Sequence, residues 1–135
     1  MNRKPTVALI AGCLALTGVM AASAEAQSTA DAASASANFN GPTGEDTFNR
    51  VCAACHMPDA KGAEGAGRYP ALAGNPRLSS GTYPVYVVMN GMNGMPPLGE
   101  LMTDEQVADV VNYVRTHFGN DYRDAVKPAD VSALR

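Results

Sequence analysis

Two cysteines three positions apart, with a histidine directly after the second, are the residues of this chain best placed to do chemistry: Cys52-Ala53-Ala54-Cys55-His56. On a helix this spacing puts both thiols on one face, with His56 four positions after Cys52. Four uses compete. A disulfide across so small a loop constrains the unfolded chain little. Thiol exchange wants a thioredoxin-like strand–helix context, and no strand pattern precedes the motif. A structural zinc ion takes four good ligands, and the only further histidine is His117. The fourth use is covalent attachment of haem. Two thiols add to the vinyl groups and the neighbouring histidine is delivered to the iron, a pattern found in exported chains. The leader described below favours this fourth use.

An iron held by one histidine takes a sixth ligand or leaves a site open. The run Met89-Asn-Gly-Met92-Asn-Gly-Met95-Pro-Pro-Leu-Gly supplies candidates, with Met102 shortly after and Met57 beside His56. Methionine is commonly core filler. Met57, however, is tied to the proximal side of the motif, whereas Met95 is followed by Pro96 and Pro97, which stiffen its loop. A loop already restricted holds a thioether against iron at little entropic cost. Met92 and Met102 remain alternatives, and His117 would serve only in a bis-histidine arrangement.

The elements that must position these groups read as helices. A first helix spans Gly44–Cys55 and ends at the motif, with Phe48, Val51 and Cys52 on its apolar side. A second, over Ser79–Asn90, is interrupted early by Pro84. The last long helix starts at Thr103, with Gln106 completing a capping box. It carries Val107, Val110, Val111, Val114 and Phe118 at helical spacing, and Gly119 ends it. Pro128 opens a short terminal helix over Ala129–Leu134. Lys61–Gly81 is rich in Gly and Pro and reads as an irregular loop, and no convincing strand is present.

Residues 1–26 have the anatomy of a secretory signal peptide: Arg3 and Lys4, an apolar run, then Ala24-Glu25-Ala26 as a cleavage site. A competing reading takes Ile10-Ala11-Gly12-Cys13 as a lipobox with Cys13 acylated. Residues 27–40 are Ala/Ser-rich and read as a flexible tether. That leaves one domain over 41–135. The 135-residue chain has a formal net charge of −3. Without a basic cluster it is no candidate for nucleic acid or an anionic membrane surface. The mature chain has no apolar run long enough to span a membrane.

Most of the mature chain resembles a class I cytochrome c, and within that family the small bacterial group related to the cytochrome c subunits of alcohol and gluconate dehydrogenases. The resemblance rests on CAACH, YPALAGNPR, MPPLGELMTDEQVADVVNYVR and VKPADVSALR, in that order. It implies an all-α fold of three to five helices wrapped around one covalent haem c. Cys52 and Cys55 match the thioether positions, His56 the proximal iron ligand and Met95 the distal one. Pro70 matches the proline whose carbonyl accepts from the other nitrogen of the proximal histidine. Gly44 and Phe48 match residues of the first helix that cross the last, where Tyr113 is the aromatic partner and edge-to-face packing is expected. Arg77 and Tyr83 are candidate partners of the haem propionates. The resemblance further implies a periplasmic, monomeric electron carrier with no catalytic residues. Its redox partners are a dehydrogenase, a cytochrome complex or a terminal oxidase. The alternatives are a dedicated haem subunit of a dehydrogenase complex, and a haem sensor whose Met95 bond is labile.

Overall fold

The computed structural model describes residues 41–65 and 67–135. The expected signal peptide and tether, and Cys13 with them, lie outside the described residues. The helical run to the cysteine motif begins at Thr43, whose Oγ1 accepts from the Asp46 N–H at 3.1 Å. Three short pieces follow without a break: α1 Gly44–Thr47, a π-helical turn Phe48–Cys52, and α2 Ala53–His56. In the π turn the Ala53 N–H bonds to the Phe48 carbonyl, one residue further back than in an α-helix. The run extends one residue past the expected end, so that His56 is its last helical residue.

The expectation of no strand is corrected. A small antiparallel hairpin pairs β1 Ala63–Glu64 with β2 Arg68–Tyr69. A 3-10 turn follows at Pro76–Ser79. Helix α3, Thr82–Asn90, is not interrupted by Pro84. Pro84 is its third residue, within the first turn, where a missing N–H breaks no ladder bond.

Helix α4 runs Asp104–Thr116, with Thr103 Oγ1 accepting from the Gln106 N–H and Gln106 Oε1 accepting from the Thr103 N–H. It stops before Phe118, contrary to the helical register expected for that ring. His117 is extended, and Phe118 and Gly119 have φ of 55° and 80°. Helix α5 covers Pro128–Ser132, with Asp130 Oδ2 accepting from the Lys127 N–H at 2.8 Å.

The core forms where α1 and the π turn cross α4, with α3 and α5 packed on other sides of α4. Gly44 is buried at the crossing, where a Cβ would fall 2.2 Å from the Asp109 carbonyl oxygen. Phe48 is fully buried there. Its ring is tilted 47° to Tyr113 at 5.8 Å and lies closer, at 4.8 Å, to Phe118. The edge-to-face pair is instead Tyr113 with Phe118, at 87°. Among the described residues, no helix is long and apolar enough to cross a membrane.

Candidate functional site

The site is built on the end of α2. After His56 the chain reverses through Met57 and Ala60, both at positive φ, and the Gly62 N–H bonds to the His56 carbonyl at 3.0 Å. Gly62 has φ of +68°, and a Cβ there would sit 2.1 Å from the Tyr69 carbonyl oxygen. Only glycine lets the β2 strand lie this close. Just beyond Pro70, the Leu72 and Ala73 N–H groups both bond to the Ala60 carbonyl, at 2.8 and 2.9 Å. Pro70 is therefore held from both flanks, and its carbonyl oxygen stands 2.9 Å from His56 Nδ1. A carbonyl can only accept, so Nδ1 is the donor in this contact, and in the neutral imidazole the free lone pair then lies on Nε2. His56 is buried, 9% exposed, and among the described residues Nε2 carries no hydrogen bond.

The two thiols are free, Cys52 half-buried and Cys55 exposed. Burial, with repulsion from Cys55 adding to it, pushes the Cys52 thiol up to about 11. Thiol exchange needs the opposite, a lowered pKa that yields thiolate near neutrality. Among the described residues, no group of three or more His, Cys, Asp or Glu side chains is arranged to hold a metal ion. What fits is an imidazole with one nitrogen anchored and the other available, one position after a pair of uncommitted thiols.

Met95 sits in a loop braced to α3. The Gly91 N–H closes on the Val87 carbonyl at 2.8 Å and the Leu98 N–H on the Val88 carbonyl at 2.9 Å. Between them Met92 and Met95 exchange both backbone hydrogen bonds, at 3.0 and 2.9 Å. The two-residue turn Asn93-Gly94 joins them, with Asn93 at φ 53°. Directly paired residues send their side chains to the same face. Met95 packs partly buried against the core, while Met92 is more exposed and its sulfur receives the Tyr83 hydroxyl at 3.7 Å. Gly91, at φ +72°, lets the loop fold back: a Cβ would lie 2.5 Å from the Met95 carbonyl oxygen.

The remaining expected residues fall as follows. Met102 is buried in the core. His117 is exposed at the end of α4, its Nδ1 2.8 Å from the Tyr113 carbonyl oxygen and its ring stacked on Tyr113 at 4.2 Å. Arg77 is exposed, its N–H bonded to Asn75 Oδ1. Sequence reasoning missed Gly62 and Gly91, whose need for glycine depends on backbone that arrives from elsewhere. It also missed the paired turn at Met92–Met95, for which Asn-Gly was an available signal.

Residues 40–114 match the family described as cytochrome c oxidase, cbb3-type, subunit III. Over 114 residues the chain is 36% identical to the cytochrome c subunit of a quinone alcohol dehydrogenase from Komagataeibacter europaeus, covering 75% of this chain and 24% of that one. It is 35% identical over 105 residues to the gluconate 2-dehydrogenase cytochrome c subunit of Pantoea cypripedii, covering 69% and 24%. It is 35% identical over 80 residues to cytochrome c6 of Alaria esculenta, covering 54% of this chain and 86% of that one. The match thus spans about a quarter of the length of the dehydrogenase subunits and most of the cytochrome c6.

Proposed function

This chain belongs to the cytochrome c family, and from that premise we propose that it carries single electrons in the periplasm. On this reading Cys52 and Cys55 would attach haem c, His56 and Met95 would hold its iron, and Pro70 is the acceptor that orients His56. Haem c, bound covalently in this family, supplies an iron that gains and loses one electron between its ferric and ferrous states. His56 presents Nε2, and its proton on Nδ1 stays with the Pro70 carbonyl, which fixes the ring and raises its basicity as a ligand. Met95 offers a soft thioether from a loop that its backbone bonds already restrain, and a methionine joining histidine as ligand would raise the reduction potential. Held by both His56 and Met95, the iron would offer no open position to a substrate, and the chain would act as a relay. The single observation that carries the reading is the His56–Pro70 contact with Nε2 unengaged, directly after Cys55.

The principal reading is a freely diffusing monomer that accepts electrons from a dehydrogenase or cytochrome complex and passes them to a terminal oxidase. A second reading, a dedicated haem subunit of a periplasmic dehydrogenase, is favoured by relatives named as dehydrogenase cytochrome c subunits. Mild purification from the native membrane and periplasm separates the two: the carrier elutes alone, the subunit with a larger catalytic chain.

The ligand assignment is tested by optical spectra of the holoprotein, oxidised, reduced, and reduced under carbon monoxide. A low-spin c-type spectrum is expected, with the weak sulfur-to-iron band present in the wild type and lost in Met95→Ala, and no ready response of the wild type to carbon monoxide. A high-spin spectrum or ready carbon monoxide binding would overturn it and turn attention to a sensor.

A further inference from the structure

The Met95 loop is braced to α3 at its start, and at its far end the partner is a side chain from beyond α5. Val131, fully buried, docks α5 against α4. The chain then closes through the Leu134 N–H to Val131 carbonyl bond at 2.9 Å, which sets Arg135 over the segment between the loop and α4. There the guanidinium uses all three nitrogens. Nε meets Asp104 Oδ1 at 2.6 Å, Nη1 donates to the Gly99 carbonyl at 2.8 Å, and Nη2 donates to the Met102 carbonyl at 2.8 Å. The ion pair is largely shielded, with side-chain exposure of 33% for Arg135 and 25% for Asp104. Asp104 is also the first residue of α4, where a carboxylate is favoured by the helix N-terminus. One planar fork thus bridges the two ends of the 3-10 turn Gly99–Leu101 and pins both to α4. That turn is the anchor from which Met95-Pro96-Pro97-Leu98 is suspended, and prolines transmit its position stiffly.

We propose that Arg135 is a positioning residue for the axial ligand: by clamping the Gly99 and Met102 carbonyls to α4 it holds the loop that carries Met95 closed. The proposal rests on Met95 as the iron ligand. Without the fork the loop's C-terminal anchor loses two charge-assisted hydrogen bonds and an ion pair, and the loop opens more often.

Carbon monoxide, added to the reduced holoprotein, reports how often the sixth position is vacated, and the sulfur-to-iron band of the oxidised form reports the bond itself. In Arg135→Ala, carbon monoxide should bind about tenfold faster than in the wild type, the consequence of losing roughly one charged hydrogen bond of closure. Arg135→Lys, which keeps the charge but not the fork, should recover only part of the difference. Asn112→Ala serves as the control for general loosening: it breaks bonds between α4 and Val126, away from the loop. Wild-type carbon monoxide kinetics in Arg135→Ala would overturn the proposal. So would equal acceleration in an Asn112→Ala protein matched for urea midpoint, because the effect would then be global. Failure of the underlying reading looks different: Met95→Ala would itself retain the sulfur-to-iron band.

Discussion

At the scale of single residues, the site depends on two glycines that no polar side chain announces. Gly91 has φ +72°, and the space its Cβ would take is filled by the Met95 carbonyl oxygen at 2.5 Å and the Pro97 nitrogen at 2.8 Å. Alanine there has to strain the backbone and push away the loop segment that carries the proposed ligand. Gly91→Ala should therefore cost about 1–3 kcal/mol in urea unfolding. It should also weaken the sulfur-to-iron band while leaving haem attachment intact, because Cys52, Cys55 and His56 lie on another element. Gly94, three positions on in the same loop, makes the comparison: nothing lies within 4 Å of its Cβ position, and its φ is outside the left-handed region. Gly94→Ala should stay within about 0.5 kcal/mol of the wild type. Equal behaviour of the two variants would mean that close backbone approach does not hold this loop.

At the scale of elements, local signals and tertiary ones separate cleanly. The capping box at Thr103 and Gln106 involves only residues three apart, so it was legible in the sequence and is present. Thr103→Ala should cost about 1 kcal/mol, measured as a shift in urea midpoint at unchanged slope. Gly44 was legible only through family resemblance, and the structure gives the cause in its contact with the Asp109 backbone. Gly44→Ala forces α1 and α4 apart and should cost about 3 kcal/mol, at the upper end of overpacking effects. A Gly44→Ala cost no larger than that of Thr103→Ala would show that the crossing tolerates separation. The π turn Phe48–Cys52 and the hairpin pairing Ala63 with Tyr69 were not legible. A π turn leaves no composition signature distinct from an α-helix, and two-residue strands are too short for alternation to show. The helix break at His117 was missed for a related reason. Phe118 keeps an apolar identity that fits the α4 register, yet it reaches the core from a left-handed turn.

At the scale of the whole molecule, one buried charge joins segments far apart in sequence. Arg115, fully buried in α4, donates from Nε to the Leu78 carbonyl at 2.9 Å and from Nη2 to the Ser79 carbonyl at 3.1 Å. It also binds Asp124 through both the backbone carbonyl and the carboxylate, the latter at 2.6 Å from Nη2. The entry to α3 and the segment leading to α5 are thus tied to α4 through a single guanidinium. Arg115→Met fills much of the volume but strands these carbonyls without donors, and about 3–5 kcal/mol should be lost. The carboxylate adds a pH dependence whose sign is determined. The hydrogen bond from Arg115 holds the Asp124 carboxyl below its ordinary value of 3.8. A depressed folded value means that the unfolded chain takes up the proton first as pH falls. The contribution of Asp124 is therefore complete above about pH 5 and is lost as pH drops through 3.8 toward the lower folded value. It is modest, because the Asp124 side chain is 72% exposed and water screens the pair. Urea unfolding of the wild type and Asp124→Asn, from pH 7 down to pH 3, reads this directly. The wild type should be the more stable at neutral pH, with the gap closing below about pH 4. A gap constant across that range would assign the stability to the neutral hydrogen bonds of Arg115 and leave the charge of Asp124 without a part in holding α4 to the segments around it.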